Sequence, residues 1–152
     1  MTQTVLVTGG SKRVGRGLCL GLAEAGYRVA VHYNGSQQAA DKLVDEIRAK
    51  GGQAVSVAAN LEDEQQTRGL MDQVIGALGP VDLLINNASV FEEDSLARMT
   101  GSGWDRHFNI HVKAPSLLAG AFAEQQLDDG LIVNVIDERV WKLTPNFHSY
   151  TL

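Results

Sequence analysis

Cysteine is almost missing from this sequence: Cys19 is the only one, so no intrachain disulfide is available and a reducing compartment suits the chain. Burial as a small apolar side chain is the plain reading of that residue. No apolar run approaches the roughly 18 residues that a membrane span requires, which argues against insertion into a bilayer. Basic charge is in deficit as well, with 13 Lys and Arg against 18 Asp and Glu and a net charge of -5. Without a broad positive field there is little to attract a polyanion, and nucleic acid is not an expected partner. The opening stretch MTQTVLVTGG has no charged segment, long apolar stretch and small-residue cleavage site in succession. It therefore does not read as a secretory leader, and a cytoplasmic location is expected. The histidines fall into no metal-ligand spacing, and no metal is expected.

What is present is a regular alternation. At 152 residues the chain has the size of one domain on the usual scale of ~100–200 residues. Short apolar runs of strand length at 4–8, 27–33, 53–58, 81–85 and 130–135 alternate with segments of helical period at 15–26, from 36 to the Gly51-Gly52 pair, 62–78 and 102–126. That order predicts βαβ units, right-handed crossovers and an α/β doubly wound parallel sheet with strand order 3-2-1-4-5. Residues 1–152 are read as a single Rossmann-type unit, with no repeat or linker. Ser36 is the expected N-cap of the second helix, and Pro115 is expected to kink the longest one.

The first chemical signal is the turn Thr8-Gly9-Gly10-Ser11-Lys12-Arg13-Val14-Gly15. A strand that runs into a glycine-rich turn and then a helix aims free backbone N–H groups at a pyrophosphate, and the missing side chains at Gly9 and Gly15 allow close approach. An ordinary glycine-rich turn is the alternative. A P-loop is excluded, because the Gly-Lys-Ser/Thr ending is absent.

The second strand ends in Val31-His32-Tyr33-Asn34-Gly35-Ser36, without the carboxylate that would hold the ribose hydroxyls of NAD. Arg13, His32 and Ser36 are instead expected to converge on a 2'-phosphate, so NADPH is the expected cofactor. The competing reading leaves Arg13 and His32 as solvated surface groups.

With the Thr-Gly-x-x-x-x-x-Gly turn and Asn86-Asn87-Ala88 after strand four, the chain resembles the short-chain dehydrogenase/reductase family over its whole length. Within it the chain is most similar to the pteridine reductases and the dihydromonapterin reductase group, through Lys12-Arg13, His32-Tyr33 with Ser36, Asn87-Ala88-Ser89 and Phe91. The resemblance implies that Ser11, Lys12, Arg13, Val14 and Tyr33 join Gly9 and Gly15 around the cofactor. It also implies that Asn60 and Leu61 lie beside the adenine, and that Asn87, Ala88 and Ser89 run along the ribose. Phe91 is expected to stack on a pterin ring, or else to be core.

Asp137 stands where most members of that family carry a serine, and Tyr150 follows it at the family's spacing. An ionised aspartate cannot donate a hydrogen bond to a ketone oxygen, but it can bind ring amino groups or relay a proton to a ring nitrogen. Asp137 and Tyr150 are thus the expected catalytic pair, with Asp137 also touching substrate, which favours a pteridine over a simple ketone. His111 replaces the family's relay asparagine and reads equally as a relay or a packing residue.

The family's lysine, four residues beyond the tyrosine, would fall past Leu152. The chain is accordingly expected to be an inactive, truncated form in which strand five is an open edge prone to association, while a complete protein is expected to be a homo-oligomer. A reductase of small carbonyl compounds and a non-catalytic NADPH-binding module are the alternatives to a pteridine reductase.

Overall fold

The computed structural model describes residues 2–152. Its strands are β1 (Thr4–Val7), β2 (Arg28–Tyr33), β3 (Ala54–Ala58), β4 (Leu83–Asn86) and β5 (Leu131–Asn134). They form one sheet in the order β3-β2-β1-β4-β5, and every adjacent pair is parallel. The helices are α1 (Arg13–Glu24), α2 (Gln37–Ala49), α3 (Glu64–Leu78), α4 (Gly101–Phe108), α5 (Ala114–Glu124) and the short α6 (His148–Thr151). This is the doubly wound parallel architecture expected from the sequence.

Side chains of a strand alternate between its two faces, so a sheet with helices on both sides needs strands that are apolar throughout. All four residues of β1 and of β4 are buried. Leu6, Ala30 and Leu84 share one core cluster with Leu70, Met71 and Val74 of α3 and Leu118 and Phe122 of α5. Val5, Val7, Val29 and Val31 share the other with Cys19 of α1 and Leu43, Val44 and Ile47 of α2. Each such side chain contributes about 1.5–3 kcal/mol on leaving water, and the two clusters clamp the sheet from both sides.

Polar contacts fix the ends. Asp82 accepts from the Thr4 backbone N–H at 2.7 Å, setting β4 beside β1. The Gln125 side chain accepts from Val81 N–H at 2.8 Å and donates to Val81 O at 3.2 Å, which pins the end of α5 to the start of β4. The third helix begins at Glu64, with Asp63 as its cap accepting from Gln66 N–H at 3.0 Å, two residues later than its apolar period suggests. Ser36 does occupy the N-cap position of α2, but its side chain makes no capping bond.

The expected kinked helix over 102–126 divides into α4, a π-helical turn at Asn109–Lys113 and α5. Pro115 lies in the first turn of α5, where its missing N–H costs little. The irregularity comes just before it: the Ala114 N–H reaches back five residues to Asn109 O. Such π-turns are rare and concentrate at functional sites, and His111 sits in this one.

β5 is an outer strand, and Leu131 on it is 57% exposed. Beyond it the chain forms a single 3-10 turn at Glu138–Val140 and then α6. No helix among the described residues is long and apolar enough to cross a membrane.

Candidate active site at the carboxyl edge of the sheet

The carboxyl ends of β1, β2 and β4 meet where the strand order reverses, the usual ligand crevice of an open α/β sheet. One hydroxyl organises it. Thr8 Oγ1 accepts from Asn87 N–H at 2.9 Å and from Ala88 N–H at 3.0 Å, and Asn87 Nδ2 donates to Thr8 O at 2.9 Å and Gly9 O at 3.2 Å. The turn after β1 is thereby tied to the segment after β4.

Two glycines are required for that closeness. A Cβ on Gly15 would lie 2.2 Å from Gly9 O and 2.7 Å from Asn87 Nδ2. Gly9 has φ +60, and a Cβ there would lie 2.9 Å from Ala88 Cα. Past the turn, α1 starts with Lys12 at its N-cap and no side chain capping it, so its first N–H groups face outward. Lys12, Arg13 and Val14 are exposed around this helix start, and Ser11 is buried beneath them. The arrangement suits an anion: uncapped N–H groups, the positive end of a helix and two cations without ion-pair partners among the described residues.

His32 is the main correction to the expected phosphate cluster. It is 2% exposed, and both ring nitrogens are engaged inside the protein: Gly9 N–H donates to Nδ1 at 2.9 Å, and Nε2 donates to Ala59 O at 3.0 Å. Burial pushes its pKa down to about 4, against a smaller opposing effect of the Ala59 carbonyl, so the ring is neutral at physiological pH. It joins the end of β2 to the glycine turn and does not reach toward a phosphate. The reason is positional, since residue 32 falls in the fully covered part of β2. Arg13 and the half-buried Ser36 hydroxyl and Tyr33 ring remain on the open side. Asn60 shapes the next turn, its Oδ1 accepting from Glu62 N–H at 3.0 Å, and Leu61 is buried beside it.

The second half of the site gathers Ser89, Phe91, His111, Asp137 and Tyr150. Tyr150 Oη donates to Asp137 Oδ2 at 3.0 Å, and Arg139 N–H donates to Asp137 Oδ1 at 2.9 Å. The Arg139 amide, the Tyr150 hydroxyl and the Arg139 charge hold the Asp137 carboxyl below the usual range, outweighing desolvation, so it is ionised at neutral pH. Burial and then the Asp137 anion push the Tyr150 phenol up, while the Ser89 hydroxyl and the Arg139 charge act the other way. The phenol is therefore the proton carrier of the pair and the carboxylate the acceptor.

His111 Nε2 accepts from Val90 N–H at 3.3 Å and lies 3.0 Å from Ser89 Oγ. Its ring stands edge-on to Tyr150 at 5.3 Å between centroids. Burial and the neighbouring His107 keep its pKa below the ordinary histidine value, against the His107 carbonyl, so this ring too is neutral. Phe91 is 49% exposed and not core; one face stacks on Phe147 at 4.1 Å, and Tyr150 meets it edge-on at 4.8 Å.

Three contributors were not foreseen from sequence. Phe147 covers one face of Phe91, Arg139 lies against both rings, and Asp94 anchors α6 by accepting from Ser149 N–H at 3.1 Å and from the Ser149 hydroxyl. Phe147 lies one helical turn before Tyr150 and was available as a signal; Asp94, 55 residues from Ser149, was not.

Comparison with known proteins agrees with this geometry. A family model described as short chain dehydrogenase matches residues 3–151. The 3-oxoacyl-acyl-carrier-protein reductase FabG of Staphylococcus aureus is 39% identical over 113 residues, 74% of this chain and 46% of its own length. The chain thus spans about half the length of the curated relatives it matches. Among solved structures, FolM alternative dihydrofolate reductase 1 from Brucella canis, complexed with NADP, is 44% identical with a TM-score of 0.92; the match covers 98% of this chain and 60% of that one. A blue fluorescent protein from a metagenomic library, in complex with NADPH, is 32% identical with a TM-score of 0.93, covering 98% of this chain and 62% of that one. With its parallel sheet, its glycine turn locked to the segment after β4 and a family match over nearly every residue, the chain belongs to the short-chain dehydrogenase family of oxidoreductases.

Proposed function

We propose that this chain is the nucleotide-binding unit of an NADPH-dependent reductase whose substrate is a pteridine of the dihydropterin type. The observation that carries the substrate reading is the 3.0 Å hydrogen bond from Tyr150 to an ionised Asp137 beside the exposed ring of Phe91. A carboxylate only accepts hydrogen bonds, so it suits the ring N–H and amino groups of a pterin rather than a ketone oxygen. The likeness to the Brucella protein, described as an alternative dihydrofolate reductase complexed with NADP, supports both the cofactor and the substrate class.

The residues fit the cofactor. The turn over Gly9 to Gly15 and the uncapped start of α1 would hold its pyrophosphate, while Arg13, Lys12 and the Ser36 hydroxyl would meet the 2'-phosphate. Tyr33, Asn60 and Leu61 would border the adenine end, and Asn87, Ala88 and Ser89 the ribose. When bound, NADPH supplies the hydride. Tyr150 holds the proton to be delivered to a substrate ring nitrogen, Asp137 orients both the phenol and the substrate amino groups, and Ser89 with His111 leads a proton back to the phenol. Phe91 offers a flat apolar surface to the substrate ring.

A carbonyl substrate is the second reading, and the FabG relatives favour it. NADPH oxidation by a protein of the relatives' full length, with dihydropterin and with a β-keto ester, separates the two. Turnover of dihydropterin at least tenfold above the keto ester supports the pteridine reading, and the reverse order replaces it with carbonyl reduction.

A further inference from the structure

Arg139 presents a guanidinium at the mouth of this site, close enough to Asp137 to act on its charge but without direct salt-bridge contact to a carboxylate. It forms no ion pair among the described residues. Its guanidinium carbon lies 5.0 Å from the Phe91 ring centre and 5.1 Å from that of Phe147, and the two rings are 4.1 Å apart. Near-equal distances to two stacked rings place the guanidinium across the side of the stack, not on the far face of one ring. One guanidinium nitrogen donates to Thr144 Oγ1 at 2.8 Å, which tethers the group and leaves other N–H donors of the fork without partners among the described residues. Arg139 begins one backbone step past Glu138 on the turn that Asp137 caps, and its amide holds Asp137 in place. The side chain is therefore held by two aromatic rings, a hydroxyl and a capped turn, within the same cluster as the expected substrate-binding groups.

Resting on the pteridine reading above, we propose that Arg139 is a specificity-determining residue that binds an anionic substituent, a carboxylate or a phosphate ester, carried by the flat substrate. A preset planar fork loses little entropy on pairing, and it accepts a carboxylate through two parallel hydrogen bonds. The ring edges cover the half-buried Arg139 side chain on one side by van der Waals contact and leave its charge uncancelled. Asp137 and Glu138 are the acidic neighbours along the turn, and neither carboxylate reaches salt-bridge distance of the guanidinium. They hold the anion to one side, so that the flat ring lies toward Asp137 and Phe91 while its charged substituent points at Arg139.

The test is isothermal titration of the NADP-saturated protein with pterin and with pterin-6-carboxylate, on the parent protein, Arg139→Gln and Arg139→Lys. A hydrogen-bonded charge pair is worth roughly ten- to a hundredfold in affinity. The parent should bind the carboxylate about tenfold or more tighter than pterin; R139Q should bring that ratio down to about one, whatever it does to pterin alone, and R139K should keep part of it. Equal affinity of the parent for both ligands, or an R139Q variant that weakens both alike, overturns the proposal and leaves Arg139 as a support for the Phe91–Phe147 stack. Turnover by a protein of the relatives' full length distinguishes the two readings: preference for the carboxylate with no dihydropterin-dependent NADPH oxidation removes the reductase reading and leaves this one standing.

Discussion

Tyr150 and Asp137, 13 residues apart and on different elements, share a 3.0 Å hydrogen bond in which the phenol donates and the carboxylate accepts. The direction matters. The Asp137 anion, after burial, raises the phenol pKa and so keeps the proton on Tyr150 through neutral pH. Asp137→Asn removes that negative charge, and the phenolate then forms at lower pH. The alkaline limb of the kcat profile should move to lower pH in D137N, with kcat reduced, while Tyr150→Phe should lower kcat by roughly 10²–10⁴ at every pH. Steady-state rates of a protein of the relatives' full length, carried from about pH 7 to about pH 12 because the phenol sits above its ordinary value near 10, check both; an unmoved limb in D137N would show that the two groups do not titrate together.

Burial of neutral His32 makes stability depend on pH. Its folded pKa of about 4 lies below the ordinary 6.5, so between those values the unfolded chain binds the extra proton. Stability attributable to His32 is complete above pH 6.5, falls as pH drops through this window and levels off below about 4. The loss is on the order of 3 kcal/mol for a shift of that size. Urea melts at pH 7 and 4.5 should show a smaller difference for His32→Gln than for the parent, and an equal difference would contradict the assignment.

The same residue shows where sequence reading stops. The sheet order, the glycine turn and the pairing of Asp137 with Tyr150 were all legible, because apolar period, glycine position and family spacing record them directly. His32 was misdirected, since a polar residue at a strand end looks ready to meet a ligand, whereas two backbone groups, Gly9 N–H and Ala59 O, claim it in the fold. Likewise a proline announced a kink, but the π-turn before it follows from how Asn109 and Ala114 pair across the helix, which no residue type signals.

Gly15 should tolerate no side chain. A methyl group there meets the Gly9 carbonyl at 2.2 Å and Gly10 Cα at 2.9 Å, both backbone atoms that cannot swing away. Gly15→Ala should open the turn, weaken NADPH binding by tenfold or more and cost roughly 1–3 kcal/mol of stability, as overpacking generally does. Fluorescence titration with NADPH alongside thermal melting measures the two effects. Parent-like affinity in G15A would mean that the turn lies elsewhere when the nucleotide binds.

Cys19 should be silent toward thiol reagents. It is fully buried against the Gly10 carbonyl, and burial pushes its pKa up to about 12, so almost no thiolate exists at neutral pH. Iodoacetamide should label it only after denaturation; fast labelling of the native protein would show that α1 detaches from the sheet.

Cofactor choice is the claim on which the rest depends. Arg13, Lys12 and the uncapped helix start provide positive charge where NADPH differs from NADH, and no carboxylate ends β2 to hold a free ribose. Titration of the protein and of Arg13→Ala with NADPH and NADH, followed by dihydropterin-dependent NADPH oxidation, tests this most directly. NADPH should bind at least tenfold tighter than NADH, R13A should lose most of that preference, and dihydropterin should drive oxidation by a protein of the relatives' full length but not by residues 1–152 alone. Equal binding of the two nucleotides, or a preference for NADH, would contradict that claim.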